Sequence, residues 1–166
     1  MAFRVCQGDI TKIRADAIVN AANTGLRQGS GVCGAIFRAA GPKKLQAACD
    51  AIGGCPVGEA VLTEGFDLPA RYVVHTVGPV WRGGGCGEEA QLRRCYQNAL
   101  CLAAEKGCAS IAFPLISSGI FGYPKREALR VAREEIEGFL AGGDMAVTLM
   151  LFDGETAALA AEMGLL

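Results

Sequence analysis

Short apolar runs alternate with longer stretches of helical period along this chain. Strand-type runs are predicted at residues 3–6, 16–19, 60–64, 72–77, 110–116 and 146–152. Helices are predicted at 32–40 and 43–52, broken apart by Gly41-Pro42. A longer one spans 88–106, where Leu92, Cys95, Ala99 and Leu102 share a face and Gly107 closes the pattern. Residues 126–140 place Leu129, Ala132, Ile136 and Leu140 on an inner side, and 155–163 form a last short helix. The strand at 110–116 is apolar without alternation, as in a sheet covered on both faces. The expected class is α/β, a three-layer α/β/α sandwich around a mostly parallel mixed sheet. Ligands of such sheets sit beyond the carboxyl ends of the strands. No linker, repeat or low-complexity tract divides the 166 residues, so a single domain over 1–166 is expected.

Composition narrows the function classes. A hydrophobic share of 51% against 20% charged excludes a disordered chain. A net charge of −1 provides no electrostatic footprint for duplex nucleic acid or an anionic membrane. No apolar run approaches the roughly 18 residues of a membrane span. The opening MAFRVCQGDIT lacks the apolar core of a secretory signal, so a cytoplasmic location is expected. Eight cysteines occur without a C-x-x-C, and His75 is the one histidine, so no metal-ligand spacing exists. Thiols packed as small hydrophobes are the better reading, and neither metal nor cofactor is expected. His75, flanked by Val73 and Val77, reads as a buried, hydrogen-bonded core histidine, and Trp81 as structural or rim-forming.

Glycine is the outlier, with 23 residues, about twice its usual share of roughly 7%. Two clusters stand between a strand end and a helix start. The first runs from Asn20-Ala-Ala-Asn23 to Gly29-Ser-Gly31-Val-Cys-Gly34; the second is Ser117-Ser-Gly119-Ile-Phe-Gly122-Tyr-Pro124. Such loops let backbone N–H groups converge on an anion, with the helix N-terminus adding a favourable field. Two at corresponding ends of one sheet can clamp a pyrophosphate. GSGVCG also satisfies G-x-G-x-x-G, but the strand is expected to end near Asn20, and no acidic residue ends a second strand about 20 residues on. A dinucleotide-binding Rossmann unit is therefore disfavoured.

Six segments carry a resemblance. QGDIT (7–11), AIVNAAN (17–23), GSGVCGAIFRAAGP (29–42), YVVHTVGPVW (72–81), IAFPLISSGIFGYP (111–124) and LMLFD (149–153) stand in one order along nearly the whole chain. In these the chain resembles the macrodomain family of ADP-ribose-binding modules, closest to its bacterial, MacroD-like and O-acetyl-ADP-ribose deacetylase branch.

The resemblance implies that Asp9 accepts from the adenine 6-amino group and that Ile10 offers backbone contact; the bland alternative for Asp9 is a turn cap. It implies that Phe152 is the platform for adenine, against plain core packing, and that Asp153 reaches a ribose hydroxyl or stands in an exposed turn. Gly31, Val32 and Cys33, with Ser117, Ser118, Gly119, Ile120 and Phe121, would supply backbone donors to the two phosphates. Preorganised neutral amides hold such charge without a cation. Phe121 would cover the distal ribose, with a core aromatic as the alternative, and Gly122 would keep its loop tight. Asn23 would hydrogen-bond the distal ribose near its reactive carbon, while Asn20 holds the loop internally.

Two positions depart from the pattern. MacroD-like hydrolases usually carry Asp where this chain has Cys33, and often His where it has Phe37. The Asp is thought to orient the attacking water, so the departure bears on hydrolysis and not on binding. A GVC version of the loop also occurs in alphavirus macrodomains, treated as hydrolases. Catalysis is thus assigned to Asn23 and the position of Cys33, with a nucleophilic thiol as the lesser alternative. The expected function is binding of ADP-ribose with hydrolysis of mono-ADP-ribose from acidic side chains, deacetylation of O-acetyl-ADP-ribose, or both. The alternative is a non-catalytic reader of ADP-ribosylated protein. ADP-ribose or an ADP-ribosylated protein is the expected partner, and the chain is expected to be a monomer.

Overall fold

The strands are β1 (Ala2–Gln7), β2 (Ala15–Ala22), β3 (Ala60–Glu64), β4 (Ala70–Val77), β5 (Ser110–Phe113) and β6 (Ala146–Leu151). The helices are α1 (Gly31–Ala40), α2 (Pro42–Ile52), α3 (Glu88–Glu105), α4 (Lys125–Gly142) and α5 (Gly154–Glu162). A 3-10 turn, Ile10–Lys12, follows β1. These come from a computed structural model that describes residues 2–166. The strands form one sheet in the order β1-β6-β5-β2-β4-β3. Every neighbouring pair is parallel except β3 against β4, so five strands end at the same edge.

Alternation along β2 builds both cores. Ala17 and Val19 face a cluster that holds Leu92, Tyr96 and Leu100 of α3 with Leu129, Ala132 and Ile136 of α4. Ile18 and Ala22 face the opposite cluster, with Ile36 and Phe37 of α1 and Leu45 and Cys49 of α2. The expected α/β/α sandwich and its mixed sheet are what the chain forms. The predicted inner faces of α3 and α4 hold, with Leu102 and Leu140 partly buried at their margins.

Boundaries differ where one residue decides. β5 stops at Phe113, not at 116, because Pro114 has no N–H to give the ladder. β2 runs on to Ala22, not 19: Asn20 reads as a strand end, yet it pairs in register with His75, and Ala22 with Val77. Residues 23–28 still separate this strand from Gly29, so the Rossmann geometry remains disfavoured. β6 ends at Leu151, leaving Phe152 outside the strand. The turn Ile10–Lys12 has no apolar period to announce it; Asp9 caps it.

Candidate functional site at the carboxyl edge of the sheet

The first glycine loop is tied down by side chains before it reaches its helix. Past β2, Asn23 closes a turn on Arg27: its Oδ1 accepts from Arg27 N at 2.9 Å, and its Nδ2 donates to Arg27 O at 2.8 Å. Gln46 of α2 pins the next stretch, accepting from Gln28 N at 3.0 Å and donating to Leu26 O at 3.0 Å. α1 then begins at Gly31. Its N-cap Ser30 makes no side-chain cap bond, so the amides of Gly31, Val32 and Cys33 remain as the free donors of a helix N-terminus. Gly34 allows the close approach: any Cβ there would overlap the carbonyl of Gly29.

The second loop folds on its own carbonyls. Ser118 Oγ donates to Leu115 O at 2.9 Å, Gly122 N to Gly119 O at 3.0 Å, and Tyr123 N to Ser117 O at 2.9 Å. Among the described residues, the amides of Gly119, Ile120 and Phe121 have no protein acceptor. Ser117 is buried with φ of 66°, and its Oγ donates to Pro79 O at 2.8 Å. Gly78 makes room for it, since a Cβ there would overlap that hydroxyl. Trp81 N donates to Phe121 O at 2.8 Å, and its ring stacks at a tilt on Tyr123, centroids 4.7 Å apart.

Between the loops lies a pocket of about 140 Å³. Gly31, Val32 and Cys33 line one side, Gly119, Ile120 and Phe121 the other, with Gly78 and Ser117 beneath. Cys33 is the one titratable side chain among its lining residues. An anion here meets amides, not a cation. A larger hollow of about 420 Å³ lies on the outer side of α4, but its Arg130 and Arg133 pair with Glu134 and Glu137 at 3.3 and 3.5 Å. It holds its own counter-ions.

Asp9 and Phe152 follow the ends of the neighbouring strands β1 and β6, where Gly8 N donates to Leu151 O at 2.9 Å. Asp9 does cap its turn: Thr11 Oγ1 and Thr11 N donate to its Oδ1 at 2.7 and 2.9 Å. These bonds, the hydroxyl first, hold its carboxyl below the usual range, so it stays an acceptor at neutral pH. Both fall on one oxygen, and a carboxylate has a second. Phe152 is 81% exposed, which removes the core-packing alternative. Asp153 caps α5, accepting from Thr156 N at 2.7 Å. Phe121 is half-buried on the pocket wall, not in the core.

Seven predicted residues thus meet around one pocket: Gly31, Val32, Cys33, Ser117, Gly119, Ile120 and Phe121. One predicted role needs correction, that of Ser118, and two others gain detail. Asn23 does not line this pocket; its carboxamide ties the turn through Arg27, using one N–H and one oxygen lone pair and leaving the others for a ligand. Ser118 offers no free amide, since its N–H and hydroxyl both point to Leu115 O, at 3.4 and 2.9 Å. Ile10 is buried against the α1 side of the core. Asn20 and His75 behave as read: both are buried, with Asn20 Nδ2 3.0 Å from His75 Nδ1. Phe37 is also buried and anchors α1 beneath the first loop; truncating such a residue costs about 3–5 kcal/mol.

Glu88 escaped the sequence reading. Its buried carboxylate accepts from Arg82 N at 2.8 Å, Gly84 N at 3.0 Å and Cys86 N at 2.7 Å, and so folds the glycine run after Trp81. Those amides, Arg82 foremost, hold its pKa down to about 2. The available signal was an acid directly after RGGGCG at a helix start.

A family model described as Macro domain matches residues 19–132. A Klebsiella pneumoniae protein named O-acetyl-ADP-ribose deacetylase is 50% identical over 161 residues, covering 93% of this chain and 91% of its own. The Oceanobacillus iheyensis macrodomain solved with ADP superposes with a TM-score of 0.90 at 42% identity, over 95% of this chain and 87% of that one. A Trypanosoma brucei macrodomain in complex with ADP-ribose gives 0.88 at 41% identity, over 98% of this chain and 68% of that one. With both glycine loops in place at the carboxyl edge of the same sheet, this chain belongs to the macro domain family.

Proposed function

We propose that this protein binds ADP-ribose along the carboxyl edge of the sheet and hydrolyses bonds at its distal ribose. The carrying observation is the pocket between two rows of unpaired amides, Gly31–Val32–Cys33 and Gly119–Ile120–Phe121, with no charged group in its lining. That is a site for a diphosphate held by preorganised dipoles. Strand order supports one direction for the ligand, with Asp9 and Phe152 at β1 and β6, the second loop at β5, the first at β2 and Trp81 at β4. At roughly 4.8 Å per strand, β1 to β4 spans about 19 Å, room for adenine at one end and a second ribose at the other.

The proposed reactions are release of mono-ADP-ribose from acidic side chains and deacetylation of O-acetyl-ADP-ribose; the deacetylase name of a relative at 50% identity supports the second. With no carboxylate at position 33, a ligand phosphate oxygen takes the proton from a water held by the first loop. That water attacks the anomeric carbon of the protein-linked ribose, expelling the side-chain carboxylate, or the acetyl carbonyl, expelling the ribose hydroxyl. The second reading is a reader without turnover, favoured by the thiol at Cys33 where a carboxylate would orient water. The test is ADP-ribose release from a glutamate-modified protein and acetate release from O-acetyl-ADP-ribose, with ADP-ribose affinity measured on the same preparation. Tight binding without either product selects the reader; no binding removes both readings.

A further inference from the structure

A row of buried polar side chains crosses the sheet on the α1 side and ends at the first loop. Thr63 on β3, His75 on β4 and Asn20 on β2 lie on three adjacent strands, and Asn20 and His75 are direct register partners. Thr63 Oγ1 is 3.0 Å from His75 Nε2, and Asn20 Nδ2 is 3.0 Å from His75 Nδ1. The same Nδ2 donates to Cys33 Sγ at 3.7 Å, and Cys33 Sγ donates to Arg27 O at 3.7 Å. An amide nitrogen only donates, so His75 Nδ1 accepts and its proton sits on Nε2, facing the Thr63 hydroxyl. That hydroxyl in turn donates to Glu64 O at 3.1 Å.

Asn20 Oδ1 is buried and has no partner among the described residues. A half-satisfied amide in a core costs stability that an apolar residue would avoid, and its same-face neighbours on β2, Ile18 and Ala22, are apolar. Packing therefore does not account for Asn20. Its two N–H bonds, one to a fixed imidazole and one to a thiol in the phosphate loop, do. We infer that Asn20, held by His75, is a positioning residue that fixes Cys33 and through it the amides of the first loop. Cys33 is then a hinge pin that accepts from the sheet and donates to the loop. A carboxylate at 33 would accept from Asn20 but repel the Arg27 carbonyl.

This rests on the ADP-ribose reading, and the test separates the two. His75 is the one histidine, so its imidazole nitrogens give a single pattern in a long-range ¹H–¹⁵N spectrum of the ¹⁵N-labelled full chain. Cys33→Ala is expected to move the Nδ1 resonance without any ligand, and to have no such effect in an Asn20→Ala background. On ADP-ribose affinity and turnover, Asn20→Ala and Cys33→Ala each cost about fivefold, and the double variant costs no more than the larger single loss. Should Asn20→Ala not fold, His75→Leu and His75→Asn replace it: the asparagine oxygen stands near the Nδ1 position and restores most of what leucine loses. An unmoved Nδ1 signal in Cys33→Ala, or additive losses, overturns the inference. A parent chain that binds no ADP-ribose overturns the functional reading, and the ligand-free spectra still decide on Asn20.

Discussion

Asn23 and Cys33 end on the same atom. The carbonyl oxygen of Arg27 receives Asn23 Nδ2 at 2.8 Å and Cys33 Sγ at 3.7 Å. The two side chains singled out for catalysis from the sequence are therefore ties of one loop, meeting at a backbone group whose own side chain is exposed. Placing α1's first amides depends on both, which couples binding to any chemistry the loop performs.

Asn23→Ala should consequently weaken ADP-ribose binding as well as turnover. It removes two hydrogen bonds worth about 1 kcal/mol each when part-exposed, so a rise in Kd on the order of tenfold is expected by calorimetry. A fall in kcat beyond that tenfold would show that Asn23 also touches the reacting ribose. A Kd unchanged with kcat lost would mean that the turn holds without its side-chain tie.

Cys33→Ala leaves the backbone N–H in place and should retain activity within about tenfold. A nucleophilic thiol would cost on the order of a thousandfold or more in kcat. Turnover assays with matched affinity measurements separate these outcomes.

Gly119→Glu should abolish ADP-ribose binding while leaving the fold intact. A Cβ at Gly119 meets nothing within 4 Å, so the side chain enters open space, and it brings like charge to the diphosphate. An unchanged melting curve with no calorimetric signal is the expected pair. Normal binding would show that the second loop holds no phosphate. Asp9→Ala, at the far end of the ligand, should weaken binding by about 1–3 kcal/mol by calorimetry, since it loses the hydrogen bond to adenine and the two Thr11 bonds that hold its turn.

Most of this edge was legible because glycine spacing and apolar runs are local signals. The two loops, each between a strand and a helix, follow from residues near in sequence. Part of what was hidden depends on partners far along the chain. Asn20 looks like a strand end until its register with His75 is known. Gly78 carries no signal of its own role, which appears only when Ser117, 39 positions on, needs its space. Asn23 fits a ribose contact by its place in the motif, and its tie to Arg27 is a second role that the motif does not announce. Phe152 ends an apolar run, so core packing stood as the alternative to an adenine platform until β6, stopping one residue earlier, left it in solvent.

Burial in the core pushes the pKa of His75 down to about 4. The folded chain therefore keeps a neutral imidazole where the unfolded chain, near its ordinary 6.5, takes a proton. The stability tied to that neutrality is complete above 6.5 and declines as pH falls toward about 4. Denaturant unfolding between pH 7 and pH 4 should show the parent losing more stability than His75→Asn, which has nothing to protonate. Parallel losses in the two proteins would place the titration elsewhere.

Glu88 gives the opposite experiment, a carboxylate whose value lies in staying charged. Three backbone N–H groups, Arg82 first, hold its pKa at about 2 against an ordinary 4.5. A depressed carboxylate contributes fully above its unfolded pKa, and the contribution disappears as pH falls from about 4.5 through about 2. Glu88→Gln keeps the shape but offers one accepting oxygen to amides that now meet two. Its Tm should lie below the parent's at pH 7, and the two should converge toward pH 2. Because the loop that Glu88 folds begins beside Trp81, whose N–H donates to Phe121 O, the same variant should also bind ADP-ribose severalfold more weakly at pH 7. A Tm gap that persists at pH 2 would mean that packing and not charge accounts for the effect of Glu88. Unchanged affinity would show that the second loop keeps its shape without support from the residues after β4.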